Sequence, residues 1–192
     1  MAFLITDSAV PLLMETVPAC KVTYFTGTPA HDEVYSYLRF YFCGGALHFA
    51  FMSFDEAPLP TARMALCLQS ADGGTCLVCS AAKADDAPGG ACALTLCASG
   101  TNRVLRTFAA PATLLSTGSD EQGLFWCRSG VLPAQTLTQA LGQRVQAGCV
   151  LTGNIFLYDT ADPASYGAAF PVPARTPVPT DAGGGVFTIV PY

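Results

Sequence analysis

Four cysteines raise the question of a metal first. Cys76-Leu-Val-Cys79, followed by Cys92 and Cys97, has the C-x2-C…C-x4-C form of a zinc site. The surrounding residues oppose it. The pair lies in an apolar, strand-like run in which residues three apart point to opposite faces, and the run continues with Ser-Ala-Ala instead of a glycine turn. Buried free thiols are the expectation, with no metal and no cofactor. The same setting argues against a redox C-x-x-C, whose thiolate is stabilised at a helix N-terminus.

A hydrolytic triad needs a Ser or Cys nucleophile beside a histidine base. The chain has two histidines: His31 in a Pro-Ala-His-Asp-Glu turn, and His48 inside a strand-like run. No G-x-S-x-G elbow, P-loop or G-x-G-x-x-G opens a helix. Each histidine reads as a surface or satisfied-core residue, and an enzyme is disfavoured. Paired carboxylates leave no spacing signature in a β protein, so a carboxylate site has no counter-argument in spacing. Asp55-Glu56, with Arg63 after Pro58 and Pro60, puts charge in a rim loop, where binding residues concentrate but where solvated charges are also ordinary. The lone Trp126 alternates within Leu-Phe-Trp-Cys-Arg and suits a core or a platform equally.

The elements that must position these residues are strands. Eighteen glycines and fourteen prolines separate short apolar or alternating runs. Strands are expected near 20–26, 34–43, 46–54, 62–69, 75–81, 91–98, 102–109, 112–117, 123–132, 148–158 and 185–190. The clearest pair is 34–43 and 46–54, two aromatic-rich runs around Gly44-Gly45, a turn that needs positive φ. Alternation there buries Leu38, Phe40 and Phe42 and sends Tyr35, Tyr37, Arg39 and Tyr41 to the outer or ligand face. Further hairpins are expected at 70–74 and at 99–102. Pro133 to Gly142 breaks the pattern with Pro at a first helical position, Leu137 and Leu141 four apart, and a closing Gly, which predicts a short helix. Residues 159–185 form a long Pro/Gly/Ala-rich loop.

Composition sets the bounds. With 192 residues, 51% hydrophobic and 12% charged, the chain fits one domain over 1–192 with a sizeable core. This reading from the residues is an all-β, two-sheet antiparallel β-sandwich, of jelly-roll or immunoglobulin-like type, with one short helix near 133–142. A net charge of −5 and nine scattered basic residues argue against nucleic acid. No apolar run reaches the roughly 18 residues of a membrane span. The first residues lack a positive n-region, and the nine cysteines sit as small hydrophobes in strands, so a reducing, cytoplasmic location is expected.

The C-terminal half carries a family resemblance. Trp126-Cys-Arg-Ser-Gly-Val-Leu-Pro133, the short helix, Gly153-Asn-Ile-Phe-Leu-Tyr158, Tyr166-Gly167 and Pro171 follow the order found in carbohydrate-binding family 9-like modules, and Leu47 to Pro60 resembles their "E-x-P" stretch. The resemblance spans most of the chain after about residue 34. It implies a DOMON-like β-sandwich of jelly-roll type, whose members bind sugars in a cleft walled by aromatic residues. The chain departs from the pattern at Ser165 and Ala169, where the family has His and Trp, although Phe170 lies one place on; 62–98 carries Ala, Cys and Leu in place of an acidic, aromatic run.

Two functions follow. One is a non-catalytic binding module, with carbohydrate as ligand and Glu56, Arg63, Arg128, Tyr158 and Tyr166 as candidates for hydrogen bonding and stacking. The other is a structural or protein-interaction domain that has lost the sugar site. Neither a protein partner nor an oligomeric state can be read from the residues.

Overall fold

Aromatic and β-branched residues suit pleated strands, and the described residues hold fourteen of them. The computed structural model describes residues 2–26, 34–101, 103–162, 166–172 and 184–192. Their strands are β1 (Ala2–Ser8), β2 (Ala19–Lys21), β3 (Tyr24–Thr26), β4 (Ser36–Cys43), β5 (Ala46–Ser53), β6 (Ala62–Gln69), β7 (Thr75–Ala81), β8 (Cys92–Ala98), β9 (Val104–Thr107), β10 (Thr113–Asp120), β11 (Gly123–Pro133), β12 (Val150–Asp159), β13 (Tyr166–Ala168) and β14 (Gly185–Pro191). One helix, α1 (Ala134–Leu141), lies between β11 and β12. His31 and Ser165 fall outside the described residues, as does most of the 159–185 loop.

Hydrogen bonding runs in the order β10-β11-β5-β4-β1-β14-β12-β6-β7-β8-β9, with β2 beside β4, β13 beside β12 and β3 beside β13. The path folds over on itself at β1 and β14. Phe40 from one half meets Phe187 near the other edge-to-face at 5.5 Å, and Leu38, Phe42, Phe49, Phe51 and Trp126 share one core with Met64, Leu66, Leu77, Leu94, Ile155 and Ile189. This is an all-β sandwich. The sheet is mixed where antiparallel strands were expected, because β1 runs parallel to β14 (Ala2↔Val186 to Asp7↔Pro191) and touches β4 in parallel at Asp7↔Phe42.

The Gly44-Gly45 hairpin forms as expected, both glycines at positive φ (58° and 75°), the mirror-image turn that a two-residue hairpin demands. The outer face of β4 is partly covered. Arg39 donates to the carbonyls of Glu15 (2.8 Å) and Val17, and the Tyr41 hydroxyl donates to the Leu12 carbonyl at 3.2 Å, so the 12–17 segment lies over it. Helix α1 closes one end of the sandwich: Leu137, Ala140 and Leu141 enter the core, the Ala134 amide bonds the Gly45 carbonyl, and the Ala71 amide bonds the Leu141 carbonyl. Pro133 is its N-cap, one residue before the position expected, and Gly142 ends it in the left-handed conformation (φ 67°). The opposite end is built from loops: 54–61 between β5 and β6, 82–91 between β7 and β8, and the end of β12, where Asp159 pairs with Ala62.

Candidate functional site

Three of the five residues singled out in the sequence come together in a single row. Arg63 on β6 pairs with Tyr158 on β12, and Tyr158 pairs with Tyr166 on β13, so the three share the outer face of this half of the sandwich. Their side chains are not equally available. Tyr166 is 5% exposed and packs edge-to-face on Phe156 at 5.8 Å. Arg63 is 4% exposed and donates to the Pro88 carbonyl and, through both terminal nitrogens, to the Gly90 carbonyl at 3.1 Å. Tyr158 is partly exposed; burial raises its phenol above the usual range against the pull of Arg63 and Ser80, so the ring stays neutral.

Tyr158 also walls a cleft of about 400 Å³ at the loop end, with Val34, Asp55, Ala57, Leu59, Ala62 and Leu157. Its lining combines one aromatic residue, several apolar ones and Asp55, whose Oδ1 already accepts the Ala57 amide at 3.1 Å and so holds the loop in shape. A lining of this composition suits a small polar ligand with an apolar face. A second depression of about 440 Å³ lies on the other side of Pro58-Leu59-Pro60, against Ala82 to Ala87 and Leu115.

Glu56, next to Asp55, is exposed, and its backbone carbonyl accepts from Lys83 Nζ at 2.6 Å. The lining carboxylate is thus Asp55 instead of Glu56. Within a loop no periodicity says which neighbour turns inward, so sequence alone had no signal to separate them.

Arg128 lies elsewhere. It faces the interior from β11, opposite Phe51, and is 2% exposed. Its Nε donates to the Ala82 carbonyl (2.8 Å), Nη2 to the Lys83 carbonyl (2.7 Å) and to Asp85 (2.9 Å), and Nη1 to Thr113 Oγ1 (3.3 Å). Both buried arginines therefore hold the 82–91 loop, Arg128 at its start and Arg63 at its end. Strand alternation predicts which face a residue takes, but not that a loop from the opposite sheet will occupy its donors.

The cysteines divide as alternation requires. Cys76 and Cys97 are direct cross-strand partners on the outer face, in a small cluster with Cys67, while Cys79 turns into the main core. Among the described residues no group of three His, Cys, Asp or Glu is arranged to hold a metal ion. His48 stacks on Tyr41 at 4.9 Å on the outer face of the first half, remote from the cleft.

The fold is that of family 9 carbohydrate-binding modules. Over 98% of both chains the structure matches a candidate carbohydrate-binding protein from Bacteroides uniformis, with TM-score 0.62 and 10% identity. It also matches a family 9 carbohydrate-binding module from Caldicellulosiruptor kristjanssonii in complex with cellotriose (TM-score 0.54, 9% identity, 99% of this chain and 95% of that one), and one from the same organism in complex with glucose (0.51, 9%, 100% and 97%). Neither a protein-family model nor any curated protein matches the sequence. The backbone likeness spans the whole sandwich, including both ends.

Proposed function

We propose that this chain is a non-catalytic carbohydrate-binding module that seats a sugar in the cleft between the 54–61 loop and the end of β12. The observation that carries the reading is the cleft itself: Tyr158, apolar residues and the anchored Asp55 line it, in a fold shared end to end with carbohydrate-binding modules. A pyranose has an apolar C–H face and a rim of hydroxyls. Tyr158 would stack on the face, and Asp55, with Glu56 beside it, would accept from the rim. Tyr166, through Phe156, and Arg63, through the 88–90 carbonyls, would hold that face of the sheet in place.

Isothermal titration and thermal shift with glucose and cello-oligosaccharides test it. Sugar at tenfold its Kd should add about 1.4 kcal/mol of stability, a rise of a few degrees for a domain of this size. Tyr158→Ala and Asp55→Asn should each abolish the shift while the unliganded protein still unfolds cooperatively. A flat response across mono- and oligosaccharides would overturn the reading, and so would binding that both variants retain.

A further inference from the structure

The hydrogen-bonded path has two ends, and the fold brings both to one side of the sandwich. The path doubles over at β1 and β14, so β10 and β9 edge the two sheets on the side away from that fold, joined by residues 108–112. Among the described residues neither has a strand on its outer side. The chain climbs this side in one direction. β8 leaves the loop end and β9, antiparallel to it, runs back; residues 108–112 change sheet; β10 then runs with β5, both being antiparallel to β11, and continues to the loop end. The levels agree. The Phe108 amide bonds the Leu94 carbonyl, whereas Arg128, opposite Leu115, holds Ala82, which bonds Ala91, nearer the loop end. Residues 103–121 therefore form one line up the side, with its charges at the two ends: Arg103 and Arg106 towards the helix end, Asp120 and Glu121 at the loop end, all four exposed. Arg106 lies over the ring of Phe108 at 4.5 Å, which keeps it on this side.

The two edges differ in what they invite. An edge strand presents unpaired amides and carbonyls, and charge or proline blunts it. β9 has four residues, with Arg106 inside it and Arg103 just before, so pairing with its own copy would set arginine against arginine. β10 has eight residues, no proline and no charge before Asp120, and its Leu114 is 70% exposed. We propose that β10 pairs antiparallel with β10 of a second copy of this chain, making a two-fold dimer. Antiparallel pairing inverts the line of residues, so the acidic end of each copy lies towards the arginines of the other. The match occurs twice in the dimer and keeps like charges apart, while the open amides and carbonyls of both β10 strands gain partners.

Sedimentation velocity of the whole chain from about 1 μM to about 1 mM tests the dimer. The parent should pass from monomer to dimer as concentration rises, and added salt should push the transition higher by screening the paired ends. Two double variants separate the charges: Arg103→Glu with Arg106→Glu, and Asp120→Lys with Glu121→Lys. Each should weaken the dimer about tenfold or more, because each reverses both copies of the match. An equimolar mixture of the two should recover it, since every reversed end then faces a reversed partner. Leu114→Lys, which puts a charge on the open edge, should weaken association without such recovery. All five side chains are exposed, so the urea midpoints of the isolated monomers should stay within the range of surface substitutions. A monomer at every concentration, a dimer that both charge variants retain, or a mixture no more dimeric than its components would each overturn the proposal.

Discussion

Replacing Arg128 with Met keeps most of the side chain's volume and removes every donor, so it isolates the loop clamp. Two backbone acceptors lose a charged partner. Ala82 is 2% exposed, so its carbonyl has no route to water, and stripping a buried acceptor costs about 1–3 kcal/mol. Lys83 is half-buried and its carbonyl loses about half as much, while the 3.3 Å bond to Thr113 contributes little. Asp85 is mostly in water and rehydrates when released. Against these losses stands the relief of a guanidinium that folding had desolvated. The balance is a destabilisation of about 2–3 kcal/mol, which for a chain of this length is a Tm lower by about 4 to 12 °C. The single Trp126, 2% exposed, supplies the signal for urea unfolding. The midpoint should fall with the slope unchanged, since the surface exposed on unfolding is the same. A loss under about 0.5 kcal/mol, the range of an ordinary surface substitution, would refute the claim that this arginine holds the loop.

Gly153→Ala should be among the most disruptive small changes in the chain: a Cβ there would stand 2.4 Å from the Cys67 carbonyl oxygen and 2.9 Å from the Phe187 ring, and backbone on a neighbouring strand cannot yield, so a loss of about 3 kcal/mol or more is expected in the same urea assay. Stability should also decline in alkali. Burial pushes Cys20 from 9.0 up to about 12, so between those values the native state holds a proton that the unfolded chain has lost; the contribution is complete below pH 9 and disappears as pH rises towards 12, with a slope of up to about 1.4 kcal/mol per pH unit. Cys20→Ala, measured by urea unfolding at pH 8 and pH 10.5, should show a shallower decline than the parent, and an equal decline would contradict the shift.

Local chemistry carries much of this fold on its surface. The paired positive-φ glycines at 44 and 45 announce a hairpin because few other residues tolerate both positions, and the alternation of Leu38, Phe40 and Phe42 announces its buried face. The 70–74 turn is legible for a similar reason: Asp72 accepts from the Ser70 hydroxyl and the Gly74 amide, the contacts that favour Asp in turns. What stayed hidden is non-local. β1 takes its hydrogen bonds from residues 186–191 at the far end of the chain, and its own alternation is blurred by Leu4, which is 57% exposed. β13 has three residues, too few to show a period, and exists because β12 and β3 offer it ladders on both sides.

The site was harder to read because charge in a sparsely charged β protein is ambiguous. The sequence offers Arg63 as rim charge after Pro58 and Pro60 and Arg128 as a candidate for ligand binding, and each lies beside an apolar run in a chain with nine basic residues. A ligand-facing arginine and a loop-clamping arginine look the same there, since alternation specifies the face and leaves the partner open. The distinguishing fact is the destination of the donors, and for both residues that is a set of carbonyls between Ala82 and Gly90, a loop whose own sequence advertises only turn chemistry. Tyr158 behaves differently because its ring is polar at one end only, and it is the one of the three that lines a cleft. The same sequence pattern thus conceals two occupations, internal fastening by side chains rich in donors and surface presentation by a side chain whose larger part makes no hydrogen bond. Of the aromatic candidates, Tyr158 is the one that lines the cleft, which is why the titration proposed above turns on it.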